Sequence, residues 1–303
     1  MNSINILLVA IAVLCCNKAV YSYNIHSSNT ADHSLSKERS HRTGHSINVI
    51  ESRRSFVAGS IAAISGSSIS FPTHAITPQE ASKSYDIYAT TYDDLDGGTA
   101  ASALGIDEAR TKLLRLARGD VLEIGVGTGL NLSSYKLNRG QEDGITSLTL
   151  VDISQGMLSQ AKLRVEQLEL EKSITVKIIQ ADATSQLIEL FGKNKFDTVV
   201  DTFSLCVMGN EGAENCLREM AGVVKGTQEG GKVLLIENTR SSNPFLGVYQ
   251  DITATSAADL GGKGCLYNQD VGKMIQNTRG LRMLREEDYA AGLFRSFVCE
   301  QIT

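Results

Sequence analysis

A glycine-rich segment beside a short apolar stretch is the part of this 303-residue sequence best suited to bind a ligand. Residues 123–131 read EIGVGTGLN. Glycines let the backbone turn sharply and approach a ligand closely, and the N–H groups of the helix after such a turn point at that ligand. The spacing is G-x-G-x-G, and Leu130 stands where the fingerprint of dinucleotide-binding proteins has glycine. The pattern therefore favours a ligand other than NAD.

Two acidic residues flank this segment and narrow the chemistry of the ligand. Glu123 directly precedes the glycines, where a carboxylate repels a pyrophosphate and attracts a cationic amino group. Asp152 follows the next strand-like segment, 23 residues beyond Gly129, and an acid at this place accepts hydrogen bonds from two ribose hydroxyls. Together they indicate a nucleoside that also carries a positively charged amino group.

The elements that must position these residues alternate between strand-like and helix-like segments from residue 105 onward. Short apolar runs predict strands, and apolar residues at helical spacing predict helices. The predicted strands are 121–124, 148–151, 175–180, 196–200 and 233–236, and the predicted helices are 155–170, 185–192 and 211–225. Near-continuous apolar strands are expected where both faces of a sheet are covered. The sequence therefore predicts an α/β fold, with a Rossmann-like sheet and helices on both faces.

The distribution of histidine and of charge excludes several classes of function. All five histidines lie in the first 75 residues, so residues 76–303 cannot use a Ser-His-Asp triad, a Cys-His pair or a histidine-ligated metal. The formal net charge of −5 argues against nucleic-acid binding, because that requires a basic surface. We therefore predict no metal centre and no nucleic-acid partner.

Four cysteines lie in the same region, Cys206, Cys216, Cys265 and Cys299. None of them forms a C-x-x-C pair, so neither a zinc knuckle nor a thioredoxin-like site is predicted. In a domain of this size they are expected to be core residues or free thiols. An oxidising compartment would allow one or two disulfides.

The first 75 residues are predicted to be targeting segments that precede the folded domain. Residues 1–22 contain an eleven-residue apolar run and predict a signal peptide. Residues 23–55 are rich in serine and poor in large apolar groups, which predicts a disordered, transit-like segment. Residues 56–75 form a second apolar segment after an arginine pair, either a twin-arginine-like export signal or a membrane anchor.

These segments, in this order, predict a plastid location, and the thylakoid lumen is the narrower interpretation. The secretory pathway and a membrane-anchored protein are the alternatives. The folded domain is predicted at 76–303, a length that suits one domain.

Five further segments follow one another along the chain: VLEIGVGTG, LTLVDIS, IQADA, FDTVVDTFSLC and GGKVLLIEN. In order and spacing they resemble the successive motifs of class I S-adenosylmethionine-dependent methyltransferases, and the resemblance covers roughly residues 83–303. Within this superfamily the sequence is similar to the ubiquinone/menaquinone-biosynthesis-like group and to small membrane-associated thiol methyltransferases. The resemblance implies S-adenosylmethionine as cofactor and a seven-stranded sheet of the class I methyltransferase fold.

The resemblance also implies ten cofactor-binding residues, which are Tyr92, Glu123, Gly125, Gly127, Gly129, Asp152, Ile153, Met157, Asp182 and Ala183. Those in the range 123–129 are expected to hold the methionine moiety and to let the cofactor approach the loop. Asp152 is expected to bind the ribose hydroxyls. Ile153 and Met157 are expected to lie against the adenine, and Asp182 with Ala183 at its edge. Taken singly, Asp182 also suits a helix cap and Met157 a core residue.

Methyl transfer from a sulfonium is an in-line displacement of an activated methyl group, so the enzyme mainly has to align the reacting atoms. A base is needed only where the acceptor must lose a proton, and a thiol needs the least help. Without histidine, the candidate catalytic residues are Asp201, Glu237 and a tyrosine such as Tyr249 or Tyr267. The alternative for the two acids is a structural role at the strand ends.

Residues 241–280 interrupt the regular alternation and are rich in Gly, Ser and Thr. In the methyltransferase superfamily an insertion at this place commonly builds the acceptor pocket. The apolar residues expected to form its wall are Phe245, Leu246, Val248, Tyr249, Ile252 and Leu266. A surface lid without specificity is the alternative. We therefore expect a small, apolar acceptor that takes the methyl group on a thiol, a ring carbon or a hydroxyl.

Two other classes of function remain open from the sequence. One is a non-catalytic cofactor-binding protein, an assembly or regulatory factor with the same fold. The other is a nucleotide-dependent oxidoreductase, which Leu130 and Glu123 disfavour. As partners, the sequence predicts a small-molecule acceptor and peripheral association with a membrane, and it identifies no specific protein partner.

Overall fold

The computed structural model describes residues 76–93, 104–137, 144–261 and 264–302. All of them fall within the domain predicted at 76–303, whereas the segments predicted at 1–22, 23–55 and 56–75 lie outside the described residues. Within the described ranges, no helix combines the length and the apolar character that crossing a bilayer requires.

The described part of the chain contains seven α-helices and seven strands, besides short 3-10 helices. The α-helices are α1 (Pro78–Tyr88), α2 (Ile106–Leu114), α3 (Gln155–Gln167), α4 (Leu187–Phe191), α5 (Gly209–Val223), α6 (Pro244–Gly261) and α7 (Val271–Asn277). The strands are β1 (Gly119–Ile124), β2 (Ile145–Asp152), β3 (Thr175–Gln180), β4 (Thr198–Thr202), β5 (Lys232–Asn238), β6 (Leu281–Tyr289) and β7 (Phe294–Gln301).

The seven strands form one sheet in the order β3-β2-β1-β4-β5-β7-β6. Strands β1 to β5 pair in parallel, and β7 lies antiparallel between β5 and β6. This confirms the predicted Rossmann-like, seven-stranded α/β fold.

Both faces of the sheet are covered by helices. Successive residues of a strand point to opposite faces, and in β4 both are packed. Val199 belongs to a core cluster that includes Leu217 of α5, and Val200 belongs to a second cluster that includes Leu158 of α3. Burial on both sides explains why the strands are apolar without alternation.

The region 241–280, predicted to be irregular, contains the 18-residue helix α6 and the short helix α7. Asn243 caps α6, because its Oδ1 accepts hydrogen bonds from the backbone N–H groups of Phe245 and Leu246. Pro244 suits the first helical position, where its missing N–H costs nothing. The small and polar residues of α6 show no clear helical period, and for this reason the sequence pattern missed the helix.

Candidate functional site

A cavity of about 340 Å³ lies at the carboxyl ends of β1 to β4. The chain passes from β1 to β2 on one side and reaches β4 on the other side of β1, so the strand order reverses here. Open α/β sheets bind their ligands at such a point. Eight of the ten predicted cofactor residues line the cavity: Tyr92, Gly125, Gly127, Asp152, Ile153, Met157, Asp182 and Ala183.

The glycine loop after β1 depends on two glycines in the left-handed region. At Gly125 (φ +56°) a Cβ atom would lie 2.4 Å from the Cβ of Ser204, so only glycine lets this loop pack against the loop after β4. At Gly127 (φ +56°) a Cβ atom would meet nothing closer than the carbonyl oxygen of Gly125 at 4.0 Å. The first glycine therefore permits the packing, and the second leaves open space at the cavity wall.

Asp152 lies at the end of β2 with its carboxylate held by two backbone donors. The N–H of Gly127 donates to Oδ2 and the N–H of Ser154 donates to Oδ1, both at 2.9 Å. Burial raises the pKa of Asp152, and these two hydrogen bonds oppose that shift by favouring the charged form. Each carboxylate oxygen keeps further acceptor capacity, so the group can receive two hydroxyl donors from the cavity.

Asp182 lies at the end of β3 and closes a turn that faces the cavity. Its Oδ1 accepts the N–H of Thr184 at 2.9 Å and the hydroxyl of Thr184 at 2.6 Å, while its own N–H donates to Gln186 Oε1 at 2.7 Å. The carboxylate therefore caps this turn and also contributes to the cavity lining. The two interpretations that the sequence left open for Asp182 are both compatible with this position.

Helix α1 covers one side of the cavity by docking on the amino-terminal end of α3. The carboxylate of Asp86 accepts the hydroxyl of Ser154 at 2.6 Å and the N–H of Gly156 at 2.7 Å. Ser82 donates its hydroxyl to the carbonyl of Ile153 at 3.1 Å. A carboxylate at a helix amino terminus is stabilised by the helix dipole, so these contacts fix α1 at the cavity, beside the residues that follow β2.

The residues just after α1 attach to the glycine loop itself. Asp93 accepts the hydroxyl of Thr128 at 2.5 Å and also forms an ion pair with Arg164 of α3. Tyr92, immediately before it, lines the cavity. Asp93 therefore links the segment that carries Tyr92 to the glycine loop after β1 and to α3.

Glu123 and Gly129 belong to the predicted set but do not line the cavity. Glu123 is 1% exposed, and it accepts hydrogen bonds from the amide of Asn131 at 2.9 Å and the hydroxyl of Tyr135 at 2.8 Å. Burial raises its pKa to about 7. A Cβ atom at Gly129 would lie 2.7 Å from Leu132 Cδ1. Both residues therefore support the glycine loop from the protein interior.

Asp201 and Glu237 lie at the ends of β4 and β5 and are completely buried beneath the cavity lining. Burial raises the pKa of Asp201 to about 7 and that of Glu237 well above its ordinary value. Within the described residues, Asp201 Oδ2 and Glu237 Oε2 receive no other donor, and the two side chains hydrogen-bond to each other. A proton held between them leaves one negative charge for the pair.

The other oxygens of this acid pair hold the loop after β4. Ser204 donates its hydroxyl to Asp201 Oδ1 at 2.6 Å, and the N–H groups of Ser204 and Leu205 donate to Glu237 Oε1 at 3.0 and 3.3 Å. Phe203, in between, has φ +63°, a conformation that costs a bulky residue about 1–3 kcal/mol. The acid pair thus stabilises a strained turn whose residues Phe203 and Ser204 line the cavity.

The remaining candidates from the sequence do not line the cavity. Tyr249 is half-buried on α6, and the hydroxyl of Tyr267 lies 2.7 Å from that of Thr253. Phe245 is 86% exposed and Ile252 is 73% exposed. The expectation that the apolar residues of 245–266 form the acceptor wall is therefore wrong for the exposed face of α6, since this helix directs that face to solvent.

The rest of the cavity lining includes residues that were not among the predicted site residues. They belong to the start of the described chain, to α1, to the end of the loop after β4 and to the first turns of α5: Ile76, Pro78, Ala81, Tyr85, Val207, Met208, Glu211, Gly212 and Asn215. The spacing of Tyr85 and Tyr92 was a usable signal. The apolar residues near α5 could not be recognised as lining residues, because in the sequence they look like ordinary core residues of a helix.

Comparison with known proteins agrees with this architecture. A family model described as "Methyltransferase domain" matches residues 121–227. The chain is 26% identical over 187 residues to "Methyltransferase OMS1, mitochondrial" of Saccharomyces cerevisiae, covering 57% of this chain and 36% of that protein. It is 27% identical over 195 residues to "Ubiquinone/menaquinone biosynthesis C-methyltransferase UbiE" of Azotobacter vinelandii, covering 63% of this chain and 70% of that protein.

Among solved structures, the [4+2]-cyclase SpnF matches with a TM-score of 0.55 and 16% identity, over 75% of this chain and 97% of that chain. This likeness concerns the fold alone. Together with the family match, it defines the described domain as a methyltransferase domain. The family match over residues 121–227 and the methyltransferase-named relatives support the class I S-adenosylmethionine-dependent methyltransferase superfamily, as the motifs predicted, and this superfamily implies S-adenosylmethionine as cofactor.

The residues of the cavity fit this cofactor. Asp152 presents an oriented carboxylate, which suits the two vicinal hydroxyls of a ribose. The open space at Gly127 is a cradle that a side chain would fill. Ile153 and Met157 offer apolar surface beside Asp182, which suits an adenine ring with a polar edge.

Proposed function

We propose that this protein transfers a methyl group from S-adenosylmethionine to a small, apolar acceptor. The observation that carries the proposal is a single cavity in which Asp152, Asp182 and the glycine loop face a largely apolar wall around Val207 and Met208. When bound, S-adenosylmethionine supplies a methyl group that its sulfonium has already activated. The protein then has to hold the nucleoside at one end and the acceptor at the other.

We assign the nucleoside to the residues that are fixed by backbone hydrogen bonds. Asp152 accepts the ribose hydroxyls, and Asp182 with Ala183 binds the edge of the adenine. The methionine moiety lies along Gly125 and Gly127, above Glu123, whose buried carboxyl acts through Asn131 and Tyr135. In this assignment Glu123 is a positioning residue.

We propose that catalysis rests on alignment of the reacting atoms. Among the described residues that line the cavity, the carboxyl groups are those of Asp152, Asp182 and Glu211. In this assignment Asp152 and Asp182 bind the nucleoside. Asp201 and Glu237 lie beneath the lining and hold the strained turn. Alignment of an in-line displacement supplies roughly 7–11 kcal/mol. Of the three acceptor atoms considered, a thiol fits this arrangement best because it needs the least help in losing its proton.

The names of the relatives support an apolar acceptor. UbiE is named a C-methyltransferase of ubiquinone and menaquinone biosynthesis, and both of these products are apolar. The chain spans only 36% of the length of the yeast relative, so that protein has large parts without a counterpart here. We therefore infer the chemical class of the acceptor and leave its identity to experiment.

Peripheral association with a membrane is a further part of the proposal. Phe245, Val248 and Ile252 are exposed on one face of α6, at helical positions i, i+3 and i+7. Such a face can rest on a lipid surface from which an apolar acceptor is taken. Replacing all three by serine should abolish co-sedimentation with phospholipid vesicles while S-adenosylhomocysteine binding is unchanged. Equal sedimentation of both proteins would contradict this part.

We also propose a plastid location, reached through the segments predicted at 1–22, 23–55 and 56–75. The yeast relative is named as mitochondrial, so an organelle is a known setting for a protein of this kind. Mass spectrometry of the natural amino terminus tests the order of cleavage. A start near residue 76 supports export to the thylakoid lumen, whereas a start near residue 23 indicates that residues 56–75 stay in the working protein.

Methyl transfer is tested by incubating the protein with S-adenosylmethionine labelled in its methyl group and an organelle extract. The expected result is label in a small apolar product, with loss of activity in Asp152→Asn. Asp251→Asn is the matched control, because Asp251 forms a surface ion pair with Arg240 far from the cavity lining. Cofactor binding without any label transfer would favour the non-catalytic alternative.

A further inference from the structure

Two of the four cysteines in the domain lie side by side. All four are free thiols in the structure, yet Cys206 and Cys265 are within disulfide-bonding distance of each other. Cys206 follows the strained turn after β4, and Cys265 lies in the segment between α6 and α7. The pair is separated by 59 positions in the sequence, so the fold itself brings the two thiols together.

Three contacts fix this approach. The N–H of Leu266 donates to the carbonyl oxygen of Cys206 at 2.9 Å, which holds the two backbones next to each other. The side-chain amide of Asn238 at the end of β5 lies 3.4 Å from Cys265 Sγ and 3.8 Å from Cys206 Sγ. One donor therefore serves both sulfur atoms, as expected for a pair held in place by its surroundings.

The other two cysteines of the domain provide an internal contrast. Cys216 and Cys299 are completely buried, each in the core that α5 and β7 build on one face of the sheet. Burial raises the pKa of the Cys216 thiol well above its ordinary value and that of Cys299 to about 12, which makes both poor nucleophiles. Cys206 is 2% exposed, whereas Cys265 is partly open to solvent.

A bond between the two thiols would join two stretches that contact the cavity. Val207 and Met208, directly after Cys206, line it. Gly264, directly before Cys265, packs so closely on Ile76 that a Cβ atom would lie 2.4 Å from the Cδ1 atom of that lining residue. The crosslink would therefore tie the wall after β4 to the segment that supports Ile76.

We propose that Cys206 and Cys265 are a redox modification site at which a low-molecular-weight disulfide forms a crosslink in the cavity wall. The Cys265 thiolate attacks one sulfur of the oxidant RSSR, giving a mixed disulfide and releasing RS⁻. The Cys206 thiolate then attacks the Cys265 sulfur and releases a second RS⁻. The two thiol protons pass to the released thiolates, so the protein is oxidised by two electrons and RSSR is reduced to two RSH. This site is independent of the proposed methyl transfer.

The direct test uses the full-length protein, reduced and then treated with oxidised glutathione. After denaturation and alkylation, trypsin yields the peptide 196–218, which contains Cys206 and Cys216, and the peptide 264–273, which contains Cys265. The expected product is these two peptides joined by a disulfide. Cleavage after Glu211 separates Cys206 from Cys216 and should leave Cys216 alkylated. Cys299, in the peptide 296–303, should also be alkylated.

Thermal unfolding of the same samples gives a second measurement. Oxidation should raise the Tm of the wild type on the order of 5–10 °C, because the crosslink restricts the unfolded chain. Cys265→Ser, at a partly open position, should fold and lose this shift, and Cys299→Ala should keep it. The proposal is overturned if oxidised wild type yields Cys206 and Cys265 as separate thiols or separate glutathione adducts. It is equally overturned if Cys265→Ser shows the full Tm shift.

Discussion

The two ends of the cavity are built from different groups. At the end that we assign to the nucleoside, called the nucleoside end and comprising residues 125–127, 152–157 and 181–184, backbone N–H groups fix the carboxylates of Asp152 and Asp182. At the end that we assign to the acceptor, called the acceptor end and comprising residues 202–212, a buried pair of carboxyl groups holds a strained turn and apolar side chains form the wall. The first end is suited to one fixed ligand, and the second can change its ligand by side-chain substitution alone.

This difference determines which substitutions each end of the cavity can tolerate. Hydrogen bonds from backbone groups persist when neighbouring side chains change, so the nucleoside end depends mainly on its glycines and its two acids. The acceptor end depends on Asp201 and Glu237 sharing one proton in a site that water does not reach. Breaking such a pair leaves the remaining carboxyl and the backbone donors of the turn buried without their partners.

The largest effect is expected for Glu237→Ala. The substitution removes the acceptor of the Ser204 and Leu205 N–H groups and leaves Asp201 buried without its partner. A buried donor without an acceptor costs about 1–3 kcal/mol, and two donors lose their acceptor here, so the free energy of unfolding in urea should fall by about 2–6 kcal/mol.

Glu237→Gln separates a supporting role from a catalytic one. Glutamine keeps an acceptor for the two N–H groups and a donor toward Asp201, so stability should largely return. If Glu237 only supports the turn, methyl transfer should return with it. A Gln variant that folds and binds S-adenosylhomocysteine normally but transfers no methyl group would instead make Glu237 the base.

Glu123→Gln tests the nucleoside end through the pH dependence of the free energy of unfolding. The pKa of Glu123 is raised by burial from 4.5 to about 7, so the protonated side chain favours the folded state. Its stabilising contribution is complete below about pH 4.5 and is lost as pH rises through about 7. A glutamine stays neutral throughout. Relative to the wild type, Glu123→Gln should therefore gain stability on the order of 3 kcal/mol between pH 4.5 and pH 8, measured by urea unfolding at each pH.

A flat difference between the two proteins across this pH range would show that Glu123 is ionised in the folded state at all of these values. Tyr135→Phe is the matched control at the same carboxyl, since it removes one hydrogen bond and no titratable carboxyl. It should lower stability by about 1–2 kcal/mol, because a buried acceptor loses its donor.

Gly127→Val tests whether the open space in the glycine loop belongs to the ligand. A valine at this position (φ +56°) would extend into space where nothing else lies within 4 Å except the Gly125 carbonyl. We expect the Kd for S-adenosylhomocysteine, measured by calorimetry, to rise at least about 10-fold, which corresponds to about 1.4 kcal/mol.

Gly105→Val is the control for the backbone strain of this substitution. Gly105 also has a positive φ (+77°, with ψ 16°, left-handed) and open space around it, and it lies directly before α2 outside the cavity lining. Both variants should lose a similar 1–2 kcal/mol of stability, roughly the cost of a left-handed residue with a side chain. Equal loss of cofactor affinity in both would place the ligand elsewhere.

The sequence predicts most of the residues that line the nucleoside end, because short local sequence patterns mark these residues. Residues 123–131 and Asp152 have a spacing that only a tight loop and a strand end require, and eight of ten predicted residues line the cavity. The strands were predictable for a similar reason, since burial on both faces makes them apolar throughout. Strand order and the antiparallel position of β7 have no such local pattern.

The acceptor end was harder to predict because its contacts are tertiary. Asp201 and Glu237 were recognised as acids at strand ends, but their separation from the cavity by Phe203 and Ser204 depends on a positive φ at a phenylalanine, which no sequence rule anticipates. Val207 and Met208 resemble core residues. The exposed apolar residues of α6 had the composition of a pocket wall, and only the structure shows that they face solvent.

The smallest effect is expected for Phe245→Ser, which tests whether the exposed apolar face of α6 lies outside the acceptor site. Phe245 is 86% exposed, so its replacement should change the free energy of unfolding by no more than about 0.5 kcal/mol. In the absence of lipid, the Kd for S-adenosylhomocysteine and the KM for a water-soluble acceptor should equal those of the wild type. Met208→Ala is the matched comparison at the cavity wall, and it should raise that KM severalfold while Phe245→Ser does not. A raised KM in Phe245→Ser alone would return the acceptor site to α6, because an exposed side chain can affect acceptor binding only by direct contact.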